Sequence, residues 1–138
     1  MSHNSTELRD AWNKLLLSKD IEICSDDLKG CGMLELKILK LVYMSSNIQI
    51  KDILRALSIP NSTATNAINR LTKKELILRK LNNSDLRSFE LELTQKGISA
   101  VSEHLSAETA VFENLLRCLN TEEKDTFVQL FKKIASHI

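Results

Sequence analysis

The stretch from residue 48 to residue 97, IQIKDILRALSIPNSTATNAINRLTKKELILRKLNNSDLRSFELELTQKG, restricts the fold more than any other part of this chain. Ile48 and Ile50 flank Gln49 in an alternation too short to stand alone as a strand. Ile53, Leu54 and Leu57 then recur at helical spacing through residues 51–58. Pro60 disfavours helix at Ile59, so residues 58–60 form a turn. A second helix starts at Asn61 or Ser62, either of which can cap it, and buries Ala64, Ala67, Ile68 and Leu71. Residues 77–81 read as a strand. In residues 88–93, Phe89, Leu91 and Leu93 fall on one face and Glu90 and Glu92 on the other. Between these strands Asn82, Asn83, Ser84 and Asp85 supply turn chemistry, giving a hairpin with a polar tip.

The flanks read as helix. Leu8, Ala11, Trp12, Leu15 and Leu16 mark an amphipathic helix over residues 6–19. Residues 20–32 are polar with two Gly, a linker with at most one helical turn. Apolar residues cover most of the circumference of residues 33–44, as on a central buried helix. After the hairpin, Thr94 caps a long helix carrying Ile98, Val101, Leu105, Phe112 and Leu115. Asn120 with Glu123 three residues later opens a last helix that carries Phe127, Leu130, Phe131, Ile134 and Ile138. The expected fold is mainly α (α+β), a single domain of 138 residues: a winged helix-turn-helix lobe over residues 33–97, with N- and C-terminal dimerisation helices in residues 1–32 and 98–138. The terminal helices present more apolar surface than the small central lobe can cover. Leu8, Trp12, Leu15, Phe127, Phe131 and Ile134 are therefore the candidate dimer contacts.

The outer face of the helix from Asn61 carries Ser62, Thr63, Thr65, Asn66, Asn69 and Arg70, and residues 61–74 contain no acid. An ordinary solvated face is rich in Glu and Lys. A face of small polar residues can approach base edges, where Asn pairs bidentately with adenine and Ser or Thr donates or accepts at several bases. Arg70, Lys73 and Lys74 lie further along, where phosphates are the expected targets. At the hairpin tip Arg87 can enter a minor groove, with Asp85 two residues earlier to hold its side chain. Charge is distributed accordingly. Residues 51–96 carry nine cations against five anions, a net of +4, which leaves −3 for the rest of a chain whose total is +1.

Ser62-Thr63-Ala64-Thr65, Asn69-Arg70-Leu71, Lys73-Lys74, Asp85-Leu86-Arg87-Ser88 and Leu93-Thr94-Gln95-Lys96-Gly97 together resemble the MarR family of winged-helix transcription regulators, and the order of elements extends the resemblance over nearly the whole chain. The resemblance implies an obligate homodimer held by the first, fifth and sixth helices. It also implies binding to a palindromic operator on double-stranded DNA, most often as a repressor relieved by a ligand. Three positions depart from the family pattern. Glu75 stands where the family usually has Gly, Pro60 replaces a small polar cap so that capping moves to Asn61, and the wing is poor in Arg and Lys.

Candidate sensor residues are Cys24, Cys31, His104 and Glu108, which could serve as an oxidant-sensing thiol or a Cys/His/Glu zinc-type site. Against these stand a Cys acting as a small buried hydrophobe and a His–Glu pair on one helix face. A small organic effector in the dimer crevice is the other reading. No bound metal and no cofactor is expected. No Ser-His-Asp or Cys-His pattern and no phosphate loop is present, so an enzyme is not expected. No apolar run approaches the roughly 20 residues of a membrane span. With a polar start and an odd three cysteines, the chain reads as cytoplasmic with reduced thiols. The competing class is a winged-helix protein-interaction module without DNA binding, which the near-neutral net charge favours.

Overall fold

The structure is a computed structural model that describes residues 2–18, 28–81 and 89–138. Six helices and three strands follow in the order α1 (His3–Leu16), α2 (Met33–Met44), β1 (Ile48–Gln49), α3 (Ile50–Leu57), α4 (Asn61–Lys73), β2 (Ile77–Leu81), β3 (Phe89–Leu93), α5 (Gln95–Leu116) and α6 (Thr121–Ala135). The mainly α winged-helix architecture is as the sequence predicts. The strands form one antiparallel sheet in the order β1-β3-β2. Ile77 pairs with Leu93 and Leu81 with Phe89, which puts Ile77, Leu91 and Leu93 on the buried side.

The chain divides into two compact units. One comprises residues 24–105 and holds α2 to β3 with the first half of α5. The other comprises residues 1–23 and 106–138 and holds α1, α6 and the rest of α5. In the first of these, Ile38 and Leu39 of α2, Ile53 of α3, Ala67, Ile68 and Leu71 of α4, and Ala100 and Val101 of α5 are fully buried together with Leu76 and Ile77. This core fixes α4 against α2 and α3, so the opposite side of α4 faces solvent.

Helix ends deviate from the sequence expectations in three places. α1 begins at His3 rather than Thr6, because the Ser2 hydroxyl accepts the Ser5 backbone N–H at 3.2 Å and caps the helix. Ile50 is not a strand residue but the first of α3. Gln49 and Asp52 form a capping box there, with the Gln49 N–H donating to the Asp52 carboxylate at 2.9 Å. Asn61 does not cap α4. It is the first helical residue, and Pro60, at φ −66° and ψ 154°, is the N-cap with no side-chain bond. A fixed extended Pro sets the entry direction but brings no acceptor for the free N–H groups of the first turn.

The end of α4 is better provided for. The Glu75 N–H donates to the Thr72 carbonyl at 3.0 Å and the Leu76 N–H to the Leu71 carbonyl at 3.1 Å, a Schellman motif with Leu71 and Leu76 both buried. Glu75 is left-handed at φ +61°, as expected of a non-Gly residue ending this helix. The Thr94 hydroxyl donates to the Glu75 carbonyl at 2.6 Å and accepts the Gly97 N–H at 2.9 Å. The start of α5 is thereby tied to the end of α4. The last helix is capped as expected, with the Glu123 N–H on the Asn120 side chain at 2.9 Å and the Asn120 N–H on the Glu123 carboxylate at 3.0 Å.

Candidate nucleic-acid interface

Asn61, Ser62, Thr63, Asn66, Asn69, Arg70 and Lys73 are exposed on α4, while Thr65 and Lys74 are half-buried. The small polar face predicted from the sequence is therefore the face that the core leaves in solvent. Thr65 reaches back to the Asn61 side chain at 3.4 Å, one turn away. Asp85 and Arg87, the wing-tip candidates, lie outside the described residues, as does Cys24.

Two of the expected phosphate-facing cations have a partner that the sequence reading did not assign. Glu35 of α2 is buried, and its carboxylate accepts from Arg70 Nε at 2.9 Å and from Lys74 Nζ at 2.8 Å. Burial alone would raise the Glu35 pKa. The hydrogen bonds from Lys74 and Arg70 outweigh it and hold the carboxyl below the ordinary glutamate range. The same contact raises the Lys74 pKa against a smaller opposing effect of desolvation. Lys74 also donates to the Gly30 carbonyl at 3.3 Å and meets the Cys31 sulfur at 3.6 Å. The charge of Lys74 is thus spent locally, whereas the Arg70 side chain keeps half its surface in solvent with Nε engaged. Lys73 stays exposed near the end of the helix.

A second residue outside the sequence candidates is Arg79 of β2. Its guanidinium donates from Nη2 to the Asn69 amide oxygen, and both side chains are exposed. The signals that could have found these residues are slight. Glu35 is the sole acid in an otherwise apolar and basic α2, and Arg79 shares the strand face of Ile77.

Among the sensor candidates, Cys31 is half-buried beside Lys74 and Glu35. Desolvation pushes its thiol pKa up, and Lys74 offsets this only in part. A sensing thiolate needs the opposite shift. His104 is buried on α5. Among the described residues no three His, Cys, Asp or Glu side chains are grouped to hold a metal ion. A cleft of about 370 Å³ lies between the end of α2, the sheet and Ile98. Its lining includes Tyr43, Asn47, Lys80, Glu90 and Glu92 but neither Cys31 nor His104. Among the described residues no helix is long and apolar enough to cross a membrane.

On α1 and α6 no residue is buried. Leu8 is 70% exposed, Trp12 54%, Phe131 54% and Ile134 60%, with Leu15 and Phe127 also in solvent. Phe127 and Phe131 stack with ring centroids 5.9 Å apart. These faces are the exposed apolar surface that the sequence predicts for the terminal helices.

Comparison with known proteins gives these features a family. The MarR family profile matches residues 33–89, which runs from α2 to the start of β3. The chain is 31% identical over 98 residues to the uncharacterized HTH-type transcriptional regulator YwhA of Bacillus subtilis, covering 71% of this chain and 70% of that protein. It is 30% identical over 125 residues to the transcriptional repressor MprA of Escherichia coli, covering 88% of this chain and 71% of that one. A MarR-like transcriptional regulator from Thermotoga maritima superposes with a TM-score of 0.79 at 22% identity, covering 99% and 96% of the two chains. By sequence identity over most of both chains, and with the fold in agreement, the protein belongs to the MarR family.

Proposed function

We propose that the protein is a homodimeric, sequence-specific DNA-binding transcriptional regulator acting as a repressor. The observation that carries this reading is the exposed face of α4, built from Ser62, Thr63, Asn66 and Asn69 with no acid from residue 61 to residue 74. Such a face offers base-reading groups at small side-chain volume and does not repel phosphate. The relatives' names, a regulator and a repressor, agree with it. The exposed apolar faces of α1 and α6 support a second copy of this chain as partner, since faces of this size are costly to leave in water. In a twofold dimer each α4 would occupy one major groove of a palindromic operator, with half-sites roughly 34–36 Å apart. Release would follow binding of a small organic effector.

The test is a fluorescence-anisotropy titration against DNA selected from a random pool, repeated across a salt series and with added aromatic acids. Affinity should fall steeply with salt, by about 0.9 in log K per log salt for each phosphate neutralised. A winged-helix module that binds protein instead is the second reading, favoured by the engagement of Arg70 and Lys74 with Glu35, which removes cations from the DNA face. A steep fall of DNA affinity with salt would rule it out, and absence of any DNA affinity would overturn the first reading.

A further inference from the structure

We infer that Asn69 reads DNA mainly as a hydrogen-bond donor, because Arg79 holds its amide oxygen, and that it therefore selects guanine over adenine in the major groove. The inference rests on the DNA-binding reading above. An asparagine amide accepts through the two lone pairs of its oxygen and donates through the two hydrogens of its nitrogen. Bidentate pairing with adenine uses both ends: the oxygen accepts from N6 and the nitrogen donates to N7. In this protein the oxygen already accepts from Arg79 Nη2.

The orientation of the amide follows from the chemistry of its neighbour. A guanidinium has five N–H donors and no acceptor, so only the amide oxygen can face it. Turning the amide over would set two donors against a cation. The bond is charge-assisted, roughly twice as strong as one between neutral groups. Arg79 takes one lone pair and sets a positive charge beside the other, so the partly positive N6 amino group of adenine must approach against a cation, while the amide nitrogen points its donors away from it. Guanine presents two acceptors, O6 and N7, to such a donor. Adenine and thymine each present one, and cytosine presents its own amino group. Asn69 and Arg79 are both exposed, and Asn69 lies one turn beyond Thr65 and Asn66 on the same face of α4. Arg79 is thereby a positioning residue that sets base preference through Asn69.

The experiment is selection of bound sequences from a random DNA pool by the full chain, followed by affinity ratios for the four bases at each position. Four proteins are compared: wild type, Asn69→Ala, Asn69→Asp and Arg79→Met. The wild type should show one position per half-site where guanine is preferred, and both Asn69 variants should lose that preference alone. Asn69→Asp keeps an acceptor for Arg79 but has no donor, so its loss cannot be blamed on a broken pair. In Arg79→Met the amide oxygen is released, and the preference should move from guanine toward adenine by about tenfold, the scale of one good base contact. Uniform weakening by Arg79→Met with the guanine preference intact would overturn the inference. So would selected sequences that no Asn69 variant alters, although DNA binding itself would then stand. A wild type that enriches no sequence would sink both readings.

Discussion

Glu75 makes the most local test of how this fold is held. It ends α4 in a left-handed conformation, φ +61°, inside a Schellman motif whose two hydrogen bonds and buried Leu71–Leu76 pair are all in place. Glycine is the usual residue there, because a Cβ crowds the backbone in that region at a cost of about 1–2 kcal/mol. Glu75→Gly removes that cost but also loosens the unfolded chain, which returns about 0.4–1 kcal/mol. The expected net gain is about 0.5–1 kcal/mol. With an unfolding entropy of about 2.1 cal/mol/K per residue, the chain's 138 residues convert this to a rise of about 2–3 °C in Tm. A carboxylate near a helix C-terminus is itself unfavourable by a few tenths of a kcal/mol. Glu75→Ala isolates that contribution, since alanine keeps the Cβ and removes the charge. Thermal melts followed by circular dichroism, at one fixed protomer concentration because dimerisation shifts Tm, should rank Gly above Ala and Ala close to wild type. If Gly melts at or below the temperature of Ala, the left-handed cost is not what limits this junction, and the reasoning fails.

Three further substitutions probe the rest. A Cβ at Gly97 would lie 2.1 Å from the Leu76 carbonyl oxygen, a backbone atom, so Gly97→Ala should force α5 away from the end of α4 and cost at least about 2–3 kcal/mol in a denaturant titration. Glu35→Gln should destabilise by about 1–2 kcal/mol near neutral pH, less than a fully enclosed pair because Arg70 is half in solvent. Since the folded-state pKa of Glu35 is depressed, its contribution is present above the ordinary glutamate pKa and lost as pH falls through the folded value. The gap between wild type and variant should therefore close in acid, as read by melts over a pH series. The same variant removes the counter-charge of Arg70 and Lys74 while keeping an acceptor, so the slope of log affinity for DNA against log salt should steepen, by at most about 2. Phe131→Glu places a charge in the exposed face of α6 and should shift the chain from dimer to monomer in analytical ultracentrifugation while the core of residues 24–105 stays folded.

What the sequence discloses and what it conceals divide along physical lines. The start of α6 is legible because Asn120 and Glu123 bond each other's backbone, and the buried face of α4 because Ala64, Ala67, Ile68 and Leu71 sit at a helical period. The exposed face of α4 follows from that inner face by geometry alone. Asn61 has the chemistry of a cap, yet the backbone of Pro60 occupies the cap position, so Asn61 is the first helical residue. The partners of Glu35 are not legible in the sequence, for a different reason. On a helix whose apolar residues cover most of its circumference, periodicity does not say which side faces which neighbour. Whether Glu35 meets water or two cations from α4 depends on how α2 and α4 pack, thirty-five residues apart in the chain. That packing changes the electrostatics more than any local pattern could. The sequence count of cations on and after α4 treats Arg70, Lys73 and Lys74 as equals, yet one buried carboxylate engages two of them and leaves Lys73 exposed outside that cluster. In the proposed DNA complex, fewer free cations at that end of the helix would lower the share of phosphate attraction and raise the share of polar contacts from Asn and Thr. An interface weighted this way would discriminate between sequences better than it grips DNA in general.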